Sequence, residues 1–130
     1  MKKVDGGFSS RRDKGDFYED SVAELLKKNG YKILERNYYA KFEEVDIIAE
    51  DVKKRVLAFV EVKSREKFGG VHPFEAVDER KRKKIILAAK EYMMAHNITD
   101  YFIRFDVAGV IFEGSRIDAI EVLEDAFQAG

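Results

Sequence analysis

Apolar residues recur at helical spacing from Asp16 to Lys28, and the Asn29-Gly30 pair behind them is a fitting stop, so the pattern predicts a first helix over residues 16–28. The rhythm then changes. Residues 31–39, 45–49 and 56–62 read as three short strands, the last two separated by the charged turn at 51–55. The run Val56-Leu57-Ala58-Phe59-Val60 is apolar on both parities, which is expected of a central strand covered on both faces. Helices must therefore flank the sheet. Pro73 suits the first turn of a helix, and Val77, Ile85, Ala88, Ala89, Tyr92 and Met93 recur at helical spacing over 76–96, with Asn97 as terminator. Residues 101–112 and 116–122 read as two further strands joined by Glu113-Gly114-Ser115. The order αβββαββ is that of a mixed α/β layer arrangement.

With 130 residues, 45% of them apolar and a single proline, the chain is expected to build one core. Residues 1–14, with Gly6-Gly7, Ser9-Ser10 and Arg11-Arg12, have no periodicity and read as a flexible arm. Residues 15–127 read as one domain and 128–130 as a tail. The absence of cysteine excludes a disulfide framework, a thiolate zinc site and a cysteine nucleophile. The charged, glycine-rich N-terminus lacks the apolar centre of a signal peptide, and no stretch is long enough to span a bilayer; a cytoplasmic protein without a membrane partner is the expectation. With 24 basic against 25 acidic residues, attraction to nucleic acid has to be local. Charges do segregate: Lys53-Lys54-Arg55 and Arg80-Lys81-Arg82-Lys83-Lys84 against Glu43-Glu44, Asp46 and Glu50-Asp51. A cation site beside a phosphate-binding surface has this appearance, as do ordinary solvated faces.

Three acids and a lysine change the picture. Phe59, Glu61 and Lys63 share one strand face, so a charged pair follows directly on a buried segment; on its own this is more commonly a strand's exposed exit. If the Lys53-Lys54 bond centres the hairpin, paired residue numbers sum to 107, placing Asp46 opposite Glu61 and Glu44 opposite Lys63. Like charges at facing positions disfavour a sheet unless a cation sits between them, and hard carboxylate oxygens suit Mg2+ or Mn2+. A one-residue slip would turn Asp46 away. Glu19 lies in line with Val22, Ala23 and Leu26 and so faces the core, where it needs either an ion-pair partner or proximity to a metal. Together Glu19, Asp46, Glu61 and Lys63 fit phosphodiester hydrolysis, with the metal polarising a phosphoryl oxygen and Lys63 stabilising developing charge.

These residues resemble the YraN-like proteins, uncharacterised protein family 0102, which look like relatives of archaeal Holliday junction resolvases and other PD-(D/E)-x-K nucleases. The resemblance runs from about Gly15 to Phe127 through Glu19 with Ala23, Gly30 to Leu34, Arg36-Asn37, Glu44 to Ala49, Phe59 to Arg65, Phe68-Gly69, Ala76-Val77 with Lys81, and Arg104 to Val107. It implies a restriction-endonuclease-like mixed β-sheet flanked by helices. It also implies Asp46 and Glu61 as metal ligands, Lys63 as catalytic lysine and Glu19 as a helix-borne acid of the same site. Two positions depart from the family pattern, Tyr18 and Glu43 standing where glycine is usual; Glu43 adds an acid and a side chain where the backbone approaches ligand.

For nucleic-acid contact, Lys81 is the first choice for reaching a scissile phosphate, with Lys84, Arg80 and Arg65 as further phosphate partners; exposed helix faces and local ion pairs are the rival readings. His72 and His96 receive no role, and Tyr38 and Tyr39 either stack on bases or pack. The resulting expectation is a divalent-metal-dependent DNA endonuclease, acting on branched, Holliday-junction-like DNA, with RNA left open and a two-fold homodimer suited to such substrates. The alternatives are a nucleic-acid-binding protein that keeps the fold without cutting, and an assembly protein whose acidic cluster serves a protein partner.

Overall fold

The computed structural model describes residues 11–41 and 43–129. Helix α1 (Arg11–Lys28) leads into strands β1 (Lys32–Tyr39), β2 (Glu44–Asp51) and β3 (Val56–Glu66). A 3-10 turn (Pro73–Ala76) and helix α2 (Glu79–Ala95) then cross to β4 (Phe102–Glu113) and β5 (Arg116–Phe127). The five strands form one sheet in the order β1-β2-β3-β4-β5. All neighbours are antiparallel except β3 and β4, which run parallel because the helical crossover returns the chain to the same end. This αβββαββ mixed sheet, flanked by helices, has the restriction-endonuclease-like architecture expected from the sequence.

Each face of the sheet carries one helix. Val22, Ala23 and Leu26 of α1 pack with Ala58 and Val60 of β3 and Ala108 and Val110 of β4. On the opposite face, Ile85, Ala88, Ala89 and Tyr92 of α2 pack with Leu57 and Phe59 of β3 and Phe105 and Val107 of β4. The alternation of strand side chains thus sends even and odd positions of β3 into different cores. Both helices stop by the same device. Gly30 (φ +92°) and Asn97 (φ +52°) take the left-handed conformation, while Tyr31 and Ile98 donate their amides back to the carbonyls of Leu26 and Met93.

Several boundaries differ from the expectation. Helix α1 begins at Arg11 rather than Asp16, because a polar helical turn requires no apolar periodicity and is invisible to a pattern search. Residues 1–10 of the expected arm lie outside the described residues. Pro73 starts the 3-10 turn, and α2 begins only at Glu79, after Val77 turns extended and the Asp78 side chain caps the helix by accepting from the Lys81 amide at 2.9 Å. Strand β5 runs five residues past Val122, through a shift in its pairing with β4 between Phe105 and Val107. Asp106 supports that irregularity: its buried carboxylate accepts the Asp125 amide at 2.9 Å and pairs with Arg104. Asp125 itself has φ +56°. Among the described residues, no helix is long and apolar enough to cross a membrane.

Candidate functional site

The hairpin register predicted from the turn is observed over five pairs, from Asp51 with Val56 to Ile47 with Val60, each summing to 107. There the β2–β3 ladder ends. Strand β3 continues, paired only to β4, as far as Glu66 opposite Phe112, so β2 and β3 part where Asp46 and Glu61 stand. The position Glu44 was expected to share with Lys63 falls beyond this ladder; Glu44 pairs instead with Tyr39 of β1. At the parting, the Asp46 carboxylate takes over one backbone partner, its Oδ2 accepting from the Val62 amide at 2.8 Å. This bond fixes the aspartate across the gap and aims it at Glu61.

Glu61 is only 4% exposed. Its two oxygens have different surroundings. Oε2 faces the Lys81 ammonium at 3.3 Å and that of Lys63 at 3.8 Å, whereas Oε1 is buried without a hydrogen-bond partner. An unpartnered buried carboxylate oxygen costs several kcal/mol, roughly 1–3 for an ordinary polar group and more for a charged one. The nearby Asp46 carboxyl carries a corresponding electrostatic load. Burial, then the close approach of the Glu61 carboxylate, outweigh the Val62 amide and the Lys63 charge and raise the pKa of Asp46 from 3.8 to about 7. The extra proton belongs to the pair. A divalent cation, placed against Glu61 Oε1 and Asp46, would relieve both the repulsion and the missing contact. The donor set is composed of hard oxygens, which fits Mg2+ or Mn2+.

Helix α2 enters from the side. Because Asp78 caps it, Lys81 lies in its first turn, and its ammonium reaches Glu43 at 2.8 Å as well as Glu61. Burial raises the pKa of Glu43, but the hydrogen bond and charge of Lys81, helped by the Glu44 amide and the Lys84 charge, bring it below its ordinary value. Burial likewise opposes the charge of Lys81, and Glu43 and Glu61 overcome it, raising its pKa. Lys84 thus stands at the rim of the same cluster. Arg80, one residue before Lys81, is exposed.

Glu19 approaches from α1. Burial and the Asp46 charge raise its pKa, against the hydrogen bonds it receives. Those bonds occupy it well: Asn37 donates to both oxygens at 2.9 and 3.0 Å, and Arg36 to one at 3.2 Å. The ion-pair partner weighed from the sequence is therefore Arg36, and Glu19 borders the carboxylate pair without joining it in a preformed cage. Indeed, among the described residues, no group of three or more acidic, histidine or cysteine side chains is gathered as a metal cage. Asn37 adopts φ +52° on the strand to make its contact, a conformation Asn tolerates better than most residues. Arg36 and Asn37 carried no role in the sequence reading; the signal available was an Asn in a strand otherwise rich in aromatic and aliphatic residues.

Arg65 has turned into its own loop. Its Nη1 donates to the carbonyls of Glu66 and Lys67 at 3.0 and 2.9 Å, and its Nε is buried without a partner. These bonds tie it to the chain at the end of β3. Of the residues singled out, the fold thus brings together Asp46, Glu61, Lys63, Lys81 and Lys84, places Glu19 alongside, and leaves Arg65 and Arg80 apart. Glu43, noticed only as a departure from a pattern, is part of the cluster.

Residues 18–110 match the Uncharacterised protein family UPF0102. A UPF0102 protein of Fusobacterium nucleatum is 46% identical over 112 residues, covering 85% of this chain and 89% of its own length. One from Desulforapulum autotrophicum is 40% identical over 114 residues, covering 88% and 92%, and one from Acetivibrio thermocellus is 39% identical over 125, covering 95% and 94%. Among solved structures, Pyrococcus furiosus SfsA in complex with Ca2+ aligns with 85% of this chain and 62% of that one, at 13% identity and a TM-score of 0.33, too slight a likeness to carry an argument. The match over most of the chain, together with the sheet that carries Asp46 and Glu61 to one end, places this protein in the UPF0102, YraN-like family.

Proposed function

We propose that this protein is a divalent-metal-dependent DNA endonuclease hydrolysing phosphodiester bonds, with branched DNA as its preferred substrate. The observation that carries the reading is Glu61 Oε1: a buried carboxylate oxygen with no partner, beside a second, half-buried carboxyl, with two ammonium groups on the other oxygen. A structural ion pair would satisfy both oxygens. A cation site leaves one for the metal. When bound, Mg2+ or Mn2+ would act as a Lewis acid toward phosphate and lower the pKa of a coordinated water.

The chain's own residues supply the rest. Asp46, tethered to the Val62 amide, and Glu61 would hold the ion. Lys63 projects from the same strand face as Glu61, with its side chain 30% exposed, so its ammonium can meet a phosphate oxygen or position the attacking water. Lys81 and Lys84 offer positive charge along the approach to the carboxylates, giving affinity without sequence preference. Glu19 would tune the pair through its charge and the Arg36–Asn37 clasp.

A second reading has its own observation: the Lys81 ammonium already bridges Glu43 and Glu61, which partly neutralises the acids as a non-catalytic nucleic-acid-binding protein on this fold would need. One assay separates the two. Labelled single-stranded, duplex, flap and four-way-junction DNA are incubated with the protein in Mn2+, Mg2+ or EDTA, beside Asp46→Asn and Lys63→Ala. The nuclease reading expects metal-dependent cutting, strongest on branched DNA and lost in both variants. Salt-sensitive binding without cutting of any substrate would establish the binding-only reading instead.

A further inference from the structure

We infer that Glu43 is an internal anion that occupies Lys81 in the resting protein and has to be displaced by a phosphate of the nucleic acid, so that it sets the affinity of the site. This rests on the nucleic-acid reading above. The geometry is specific. Lys81 Nζ lies 2.8 Å from Glu43 Oε2, closer than its 3.3 Å approach to Glu61 Oε2. The Glu43 side chain is only 14% exposed, and the same Oε2 accepts the Glu44 amide at 3.2 Å. Its charge is therefore held in place from both sides, by an ammonium and by its neighbour's backbone.

The sequence position explains why this acid can reach. Glu43 directly precedes β2, and its carbonyl accepts the Ala40 amide at 2.9 Å, which closes the turn out of β1 and holds Glu43 next to the end of the β2–β3 ladder. Lys81 comes to the same place from α2, its backbone fixed by the Asp78 cap. A carboxylate and a phosphate oxygen compete for an ammonium through the same charge-assisted hydrogen bond. A phosphate arriving at Lys81 thus meets one bound anion already there, as well as the Asp46–Glu61 pair. Lys84 adds its charge near Glu43, but Lys81 is the ammonium that Glu43 holds directly and that displacement frees toward the DNA.

The contact with Glu61 does not serve the same end. Glu61 belongs to the proposed metal site and stays with Lys81 and Lys63 on its Oε2; Glu43 lies outside the carboxylate pair and can swing away without unmaking it.

The test is a double-mutant cycle read by binding, in EDTA so that no strand is cut. Fluorescently labelled four-way-junction and duplex DNA are titrated with wild type, Glu43→Gln, Lys81→Gln and the double variant over a range of KCl concentrations, with circular dichroism confirming that each is folded. Freeing one ammonium for phosphate predicts that Glu43→Gln binds roughly five- to tenfold tighter near 0.1 M salt, with a slope of log K against log salt steeper by about 0.9. In the Lys81→Gln background the same substitution should lose most of that gain. An unchanged slope, weaker binding, or an equal gain with and without Lys81 would overturn the inference, the last because it marks a mere change in net charge. If wild type, Glu43→Gln and Lys81→Gln all fail to bind DNA even at low salt, the nucleic-acid reading itself fails and this inference with it.

Discussion

The most informative single perturbation is proton uptake at the Asp46–Glu61 pair, followed as stability against pH in metal-free protein. The folded state raises the pKa of Asp46 from its ordinary 3.8 to about 7, so over that interval the native protein binds a proton that the unfolded chain has released. The stability this group contributes is complete below about pH 4 and is lost as pH rises through 7. At about 1.4 kcal/mol per pKa unit, the shift corresponds to roughly 4 kcal/mol between pH 4 and pH 8. Asp46→Asn removes the charge while keeping an oxygen able to accept the Val62 amide at the position Oδ2 holds. Urea unfolding of both proteins at half-unit steps from pH 4 to 8 isolates the pair, because titrating groups that do not interact with Asp46 contribute equally to each. The variant should gain on wild type as pH rises, by up to about 4 kcal/mol, and become the more stable protein above neutrality. A difference that stays constant within about 1 kcal/mol across the range would refute the account of a compressed carboxyl pair.

Further outcomes follow from other parts of the fold. At pH 8, Mn2+ at a hundred times its dissociation constant should restore about 2.7 kcal/mol to wild type and much less to Asp46→Asn, measured by thermal melting. Asp106→Ala takes the buried acid from the half-buried Arg104 guanidinium and the acceptor from the Asp125 amide, and should cost about 3–5 kcal/mol in urea unfolding; a loss under 1 kcal/mol would show that the pair is dispensable. A methyl group at Gly109 would stand 2.8 Å from Pro73 Cβ, so Gly109→Ala should destabilise by about 1–3 kcal/mol by forcing the 3-10 turn off the sheet; unchanged stability would mean the turn relaxes freely. Asn37→Gly keeps the left-handed backbone accessible but removes both hydrogen bonds to Glu19. It should lower stability by about 1–2 kcal/mol, with the loss vanishing when Glu19→Ala, which leaves no acceptor, is already present.

The strand meander was readable because β3 combines an apolar run with a polar exit and because the turn's charge marks the hairpin centre. That symmetry alone gives the register from which Asp46 and Glu61 face one another. What the pattern does not carry is where the ladder stops. The parting of β2 and β3 depends on the Asp46 side chain taking the Val62 amide, a side-chain-for-backbone exchange that no period reveals. The early start of α1 at Arg11 and the late start of α2 at Glu79 have the same origin, in polar turns and a cap rather than in apolar spacing.

The site shows a similar division. Glu61 and Lys63 announced themselves as charges following a buried strand, and Lys81 as part of a basic run. Glu19 was legible as a core-facing acid, but its partner was not, since Arg36 and Asn37 lie on a different element and Asn37 reaches Glu19 through a left-handed residue. Arg65 shares strand parity with Lys63 and yet folds back onto the carbonyls of Glu66 and Lys67, acceptors that lie at short range where β3 ends. Glu43 precedes the strand it serves, where neither alternation nor helical spacing assigns a direction, and only the entry of α2 places it against Lys81.

The central claim is that the unpartnered oxygen of Glu61 and the neighbouring Asp46 carboxyl form a divalent-cation site. Titration of Mn2+ into the protein, followed by electron paramagnetic resonance of the free ion, tests it directly for wild type, Asp46→Asn, Glu61→Gln and, as a control outside the pair, Asp106→Asn. The account predicts saturable binding of Mn2+ to wild type and Asp106→Asn, weakened at least tenfold by either substitution in the pair; equal Mn2+ affinity in all four proteins, or none in wild type, would contradict it.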